Sequence, residues 1–318
     1  DKLKLDQYVM NGGNIIWAID KLHAEYDSLQ KTSGSYVAFD RALGLDDLLF
    51  KYGVRINTNL VQDLNCAKLP LVVGVQPDRS PLIQRMPWPY YPFLNGNEAH
   101  SITQNIDRVL SMFPSSIDTL SNAAIRKTIL LTTDTNSRLI ATPTLVTLNS
   151  VKDEADMYSF NKHNLTIAAL LEGKFSSSFA NRVSKATMDS VFNLTGVPFQ
   201  AKALAASKQI VLSDADIITN KIARNEDGSP NPLPMGMIPY EDYQFGNKTF
   251  FLNAIEYLNE PSGLLESRSK QVVLRLLNKE KVEERRLFWQ IILVMGPIAI
   301  LLLIFLAWTK YRSAQFAD

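Results

Sequence analysis

The hydrophobic pattern opens on a helical period and switches to a strand. Leu5, Tyr8 and Val9 fall on one predicted helical face, Gly12-Gly13 stop the helix, and Ile15 to Ile19 form a continuous apolar run ending at Asp20. Asp46 to Tyr52 reads as a second helix, with acids in its positive first turn and Gly53 as its C-terminal stop. Val54, Ile56, Leu60 and Val61 follow, and further apolar runs at 69–75, 128–131, 166–171 and 209–212 read as strands. The run QIVLSDAD at 209–216 precedes a helix whose Phe250, Phe251, Ala254, Ile255 and Leu258 share one face. Alternating elements of this kind predict an α/β fold with a mainly parallel sheet. Ser101 with Gln104 resembles a capping box for a helix through Val109 and Leu110, but Val109 to Phe113 reads equally well as a strand. Gly228 to Pro239, rich in proline and glycine, reads as a long surface loop.

Toward the C-terminus both periods give way to an unbroken apolar stretch. Leu287 to Trp308 runs 22 residues without a charge. At about 1.5 Å per residue it spans about 33 Å, enough for a hydrocarbon core of about 30 Å. Trp289 and Trp308 stand near its ends, where amphipathic rings prefer the interface, and Gly296-Pro297 in its interior predicts a kink. The expected organisation is an α/β region over 1–262, of one or two subdomains, an amphipathic helix over 263–286, a membrane anchor over 287–308 and a tail over 309–318. Arg275, Lys279, Lys281, Arg285 and Arg286 precede the span and only Lys310 and Arg312 follow it, so a literal positive-inside count puts the large region in the cytoplasm.

Composition narrows the function classes. The 318 residues are 46% hydrophobic and 20% charged with a net charge of +1, which suits a globular core and gives no field for gripping a nucleic-acid backbone. Setting aside Lys310, Arg312 and Asp318 leaves 31 basic and 31 acidic residues before the span. A single cysteine, Cys66, excludes a disulfide within the chain and any multi-thiolate metal site. The chain opens on Asp1, already inside a helix-strand unit, so a longer parent protein is expected.

The catalytic signatures GxSxG, HExxH, GxxxxGK[ST] and GxGxxG are absent from the sequence. His23, His100 and His163 have no ligand spacing between them, and Ser267 to Lys270 matches S-x-x-K without the partner motifs such enzymes need. No catalytic residue, metal or cofactor is expected. Asp20, Asp214 and Asp216 are the candidate ligand-binding residues, because acids at the C-terminal ends of parallel strands lie where open α/β sheets bind ligands; the other reading is that they cap adjacent turns. Trp88, Tyr90, Tyr91 and Phe93 in WPYYPF are candidate interface residues, as a docking surface or a buried lid. Asn164, Asn193 and Asn247 each begin N-x-[ST], to which no role is assigned.

Several stretches together resemble the auxiliary, so-called substrate-binding subunit of the gliding-motility-associated ABC transporters of Bacteroidota, the GldG type. They include LDQYVMNGGNIIWAIDKLHAEYDSLQ at 5–30, LDDLLFKYGVRIN at 45–57, LVQDLNCA at 60–67, WPYYP at 88–92, ALLEGKF at 169–175, IVLSDAD at 210–216, YQFGNKTFFLNAIEYL at 243–258 and GLLESRSKQVVLRLLNKEKV at 263–282. The resemblance implies an extracytoplasmic domain with a class I glutamine-amidotransferase-like fold, tethered in the bacterial inner membrane beside an ABC permease and its cytoplasmic ATPase. It implies a preceding N-terminal membrane helix, hence a periplasmic domain and a cytoplasmic C-terminus, against the literal charge count. The function it implies is that of a non-enzymatic accessory subunit, its outer domain binding an envelope protein or small ligand. The alternatives are a membrane-anchored hydrolase or transferase using Asp214 and Asp216, and a purely structural envelope anchor.

Overall fold

The computed structural model describes residues 1–31, 34–148, 154–225, 227–260 and 286–316. The chain divides into two units, Asp1–Ser269 and Lys270–Asp318. The first begins with α1 (Lys2–Met10), β1 (Ile15–Ala18), β2 (Leu22–His23), α2 (Tyr26–Lys31) and β3 (Ser35–Asp40). Next come α3 (Asp46–Tyr52), β4 (Val54–Ile56), β5 (Asn59–Asp63) and a long hairpin of β6 (Cys66–Val75) and β7 (Pro81–Gly96). Then follow β8 (Val109–Leu110), β9 (Ile117–Thr119), β10 (Ile125–Thr132), β11 (Ser137–Ala141), β12 (Thr144–Thr147), α4 (Glu154–Met157) and β13 (Thr166–Gly173). The unit closes with α5 (Lys185–Thr195), β14 (Ser207–Leu212), a 3-10 turn at Ala215–Ile218, β15 (Ile222–Arg224), β16 (Pro230–Pro232) and α6 (Asn247–Asn259).

The principal sheet has seven strands in the order β1-β14-β13-β10-β7-β6, with β8 paired to β7. The expectation of a mainly parallel sheet is corrected here. Only β1 and β14 run parallel, Ile15 opposite Gln209 and Ala18 opposite Leu212; β14–β13, β13–β10, β10–β7, β7–β6 and β7–β8 are all antiparallel. The sheet is therefore mixed. The physical reason lies in burial. Val211 packs in a cluster with Val9, Met10, Leu48, Tyr52 and Phe175, while Ile210 and Leu212 pack with Phe250, Ala254 and Leu258 of α6. Successive side chains of one strand point to opposite faces, so a strand covered on both sides shows a continuous apolar run whichever way its neighbour runs.

Helix α3 occupies the predicted span and ends at Gly53, which takes φ +101 in the left-handed region that a glycine adopts without penalty. Helix α1 buries a different face from the one expected. Asp6, Gln7, Val9 and Met10 are buried, while Leu5 and Tyr8 are exposed. The polar pair goes inward because it is fully partnered. Asp6 accepts hydrogen bonds from the Tyr52 hydroxyl (3.0 Å), Ser177 Oγ (2.6 Å) and Ser178 N (3.1 Å), and Gln7 exchanges two with the backbone of Gln200. Tyr8 folds over Gly13, where a Cβ would come within 2.3 Å of its ring. The stretch that read equally as helix or strand before Phe113 contains the short strand β8.

The second unit contains α7 (Arg286–Phe316), a 31-residue helix with Pro297 inside it. Its Gln290–Arg312 segment, 23 residues, is long and apolar enough to cross a membrane. The helix continues through Gly296 and Pro297, and Trp308 lies 6.3 Å from Tyr311. Leu287 and Trp289 fall in its first turns. The amphipathic helix expected before it lies, apart from Arg286, outside the described residues.

Candidate functional site

Strands β1 and β14 end side by side because they are parallel and in register, and each is followed by acid. Asp20 lies two residues past β1, and Asp214 and Asp216 lie two and four past β14. The structure brings the three together: Ala215 N donates to Asp20 Oδ1 at 2.8 Å and Asp216 N to Asp214 Oδ1 at 2.8 Å. Asp214 caps the 3-10 turn in this way. Its other oxygen accepts from Ser111 Oγ (2.5 Å) and Met112 N (2.6 Å), so both carboxylate oxygens are engaged in a side chain that is 1% exposed. Burial, with Asp216 and Asp20 adding like charge, pushes the Asp214 carboxyl well above the usual carboxylate range.

Asp20 and Asp216 face a cleft of about 410 Å³, a volume suited to a small molecule. Its walls also carry Glu25, Lys221 and the rings of Tyr26, Tyr91, Phe113 and Tyr240. Lys221 Nζ donates to Asp216 Oδ1 at 2.9 Å, and Thr219 Oγ1 to the same oxygen at 3.2 Å. Burial raises the Asp20 carboxyl above its ordinary value; the Ala215 N–H opposes this and the Asp216 charge adds to it. Phe113 holds φ +55, a left-handed conformation that a bulky residue rarely takes, and it lies on the wall of this cleft.

The aromatic run lies on β7, not in a loop. Trp88, Tyr90 and Tyr91 are buried and Phe93 half-buried. Trp88 sits at the centre, with ring centroids of Tyr91 at 4.8 Å, Tyr90 at 5.2 Å, Phe113 at 5.4 Å and Tyr26 at 5.9 Å, and its indole N–H donates to Thr147 O at 3.1 Å. Phe93 stacks on Phe245 at 4.7 Å. Tyr26, Tyr91 and Phe113 belong both to this cluster and to the wall of the cleft.

Two buried polar knots, the first beside the site, were not singled out in the sequence. Asn247, at the start of α6, donates to Leu110 O (2.8 Å) and Ile217 O (2.9 Å) and accepts from Leu110 N (2.9 Å), tying β8, the 3-10 turn and α6 together. Asp63 accepts from Asn65 N (2.7 Å), Asp134 N (2.9 Å) and Ser137 Oγ (2.7 Å). Neither carries a sequence pattern that separates it from a surface residue, since Asn247 sits in a glycosylation-like triplet and Asp63 in a polar turn. Cys66 is buried, and burial with the nearby Asp63 charge pushes its thiol up to about 12. His23 lies against Phe39, His100 against Tyr257 and His163 against Thr135 O, so the three are not gathered. Among the described residues no group of three from His, Cys, Asp and Glu is placed to hold a metal ion.

The chain thus combines a mixed α/β unit that carries a cleft at its strand ends with a helix long and apolar enough to cross a membrane. A family model described as an ABC-type uncharacterized transport system matches residues 1–254, and the chain belongs to that family of ABC-transport auxiliary proteins. No curated protein and no solved structure matches the chain.

Proposed function

We propose that this chain is a non-enzymatic, membrane-anchored accessory subunit of an ABC transport complex associated with gliding motility, whose α/β unit binds a ligand or protein in the Asp20–Asp216 cleft. The family match over residues 1–254 carries the reading, because it sets the chain in an ABC transport system. Helix α7 supplies a means of attachment in the bacterial inner membrane. Pro297 cannot donate to the carbonyl of Leu293, which leaves that group for a neighbouring permease helix to satisfy. The large unit stands in the periplasm and the residues after the span in the cytoplasm, as the resemblance to the gliding-motility subunits implies. ATP hydrolysis by a separate subunit moves permease helices against α7, and occupancy of the cleft biases that motion to the extent that the ligand prefers one state.

The non-enzymatic part rests on how the acids are used. A hydrolase built on Asp214 and Asp216 needs Asp214 to exchange a proton with substrate, whereas Asp214 is 1% exposed and its oxygens serve Ser111, Met112 and Asp216. The test is affinity purification of the full-length protein from gently solubilised native membranes, followed by mass spectrometry. Recovery of a multi-span permease and an ABC ATPase, lost when Leu287 to Trp308 is replaced by an unrelated span, is the expected result. Recovery of neither overturns the proposal.

A further inference from the structure

The cleft beside Asp20 and Asp216 is lined with hydrogen-bonding atoms that the fold leaves unused. Asp20 Oδ1 is taken by Ala215 N and Asp216 Oδ1 by Lys221 and Thr219, while the second oxygen of each makes no hydrogen bond among the described residues. Tyr91 is 3% exposed and lines the cleft, and its hydroxyl likewise has no partner there. The hydroxyl is not sealed in the core but opens onto the cleft, where a ligand can bond it. The hydroxyls of Tyr26 and Tyr240, on the same walls, are also unbonded among the described residues. These three tyrosines come from α2, β7 and the segment before α6, so they converge on the cleft from separate parts of the chain.

The sign of the missing ligand follows from charge. Asp20, Glu25 and Asp216 line the cleft against Lys221 alone, and Lys221 is already committed to Asp216. Arg41 lies outside the lining and pairs with Glu25 at 3.2 Å, and its charge also acts on Asp20, so three acids stand against two cations around the cleft. An anion entering here meets carboxylates. A neutral polyol satisfies the hydroxyls but leaves the excess negative charge of the walls unopposed. An ammonium group meets these needs together: its N–H bonds suit carboxylate and phenol oxygens, its charge offsets the excess of acids, and the aromatic lining suits a cation. Resting on the reading of this cleft as a ligand site, we propose that it binds a small organic cation bearing an ammonium group, held between Asp20 and Asp216 and against the hydroxyl of Tyr91.

The probes are ethanolamine and choline chloride, with glucose and sodium acetate beside them, offered to the full-length protein in detergent and read by saturation-transfer NMR, which detects weak binding. The expected result is saturable binding of ethanolamine or choline that weakens at least tenfold in Asp216→Asn and measurably in Tyr91→Phe, with melting temperature unchanged in the tyrosine variant, which loses only the hydroxyl. Glucose and acetate are expected not to bind. Binding of glucose instead, lost in Asp216→Asn, overturns the cation assignment and leaves the cleft a ligand site. Absence of binding by both ammonium probes, or ammonium binding indifferent to Asp216→Asn, overturns the inference. Recovery of a permease and ATPase with the protein is a separate result, so the transport reading stands or falls on its own.

Discussion

Asn247, 1% exposed, meets three backbone groups from two other segments, and no smaller side chain replaces those bonds. Asn247→Ala leaves buried carbonyls of Leu110 and Ile217 and the Leu110 N–H without partners, so it is expected to cost about 2–4 kcal/mol, read from the urea midpoint. Trp88→Ala is expected to cost about 3–5 kcal/mol in the same measurement, since it removes the hub of four ring contacts. Cys66 gives a test with a defined pH sign. Burial disfavours the thiolate and moves the thiol up to about 12, so at pH 8 roughly one molecule in ten thousand carries the reactive form. Native protein is expected to resist iodoacetamide at pH 8 and to become reactive as the pH approaches 12 or on unfolding in urea; rapid alkylation of folded protein at pH 8 contradicts the burial. At this scale the grouping of Asp20, Asp214 and Asp216 was legible, and of the aromatic walls of the cleft only Tyr91, in WPYYPF, was singled out. Asp20, Asp214 and Asp216 each follow an apolar run, a local signal. Tyr26, Tyr91 and Tyr240 meet only through the tertiary fold, and nothing near Tyr26 or Tyr240 marks it.

Glycines at the ends of elements separate backbone strain from side-chain crowding. At Gly53 a Cβ would meet the flexible Lys127 side chain at 2.9 Å, so Gly53→Ala is expected to cost about 1 kcal/mol, chiefly from its φ of +101. At Gly173, φ +149, a Cβ would fall 2.3 Å from the carbonyl oxygen of Ala124, which is backbone and cannot swing away. Gly173→Ala is therefore expected to lower the melting temperature by clearly more than Gly53→Ala; equal shifts contradict the close approach of β13 to the start of β10. Elements were readable where the period was local, as for α3 and its glycine stop. Helix α1 misled because its buried face holds Asp6 and Gln7, whose partners Tyr52, Ser177 and Gln200 lie far along the chain. Strand direction misled for a related reason: a continuous apolar run reports cover on both faces, and β13, antiparallel to its neighbours, has that cover as fully as β14, which runs parallel to β1.

For the whole molecule, the proposed function joins a binding unit to an ATP-driven complex through one apolar helix. Its central claim is that the chain takes part in the transport cycle and is not a passive tether. The most direct measurement is the ATP hydrolysis rate of the complex of permease, ATPase and this chain in lipid nanodiscs, taken with the intact chain, without it, and with Leu287 to Trp308 replaced by an unrelated span. The account predicts at least a twofold change in rate on removing the chain, reproduced by the span replacement. Identical rates in all three preparations would contradict it and leave a structural anchor indifferent to the ATPase.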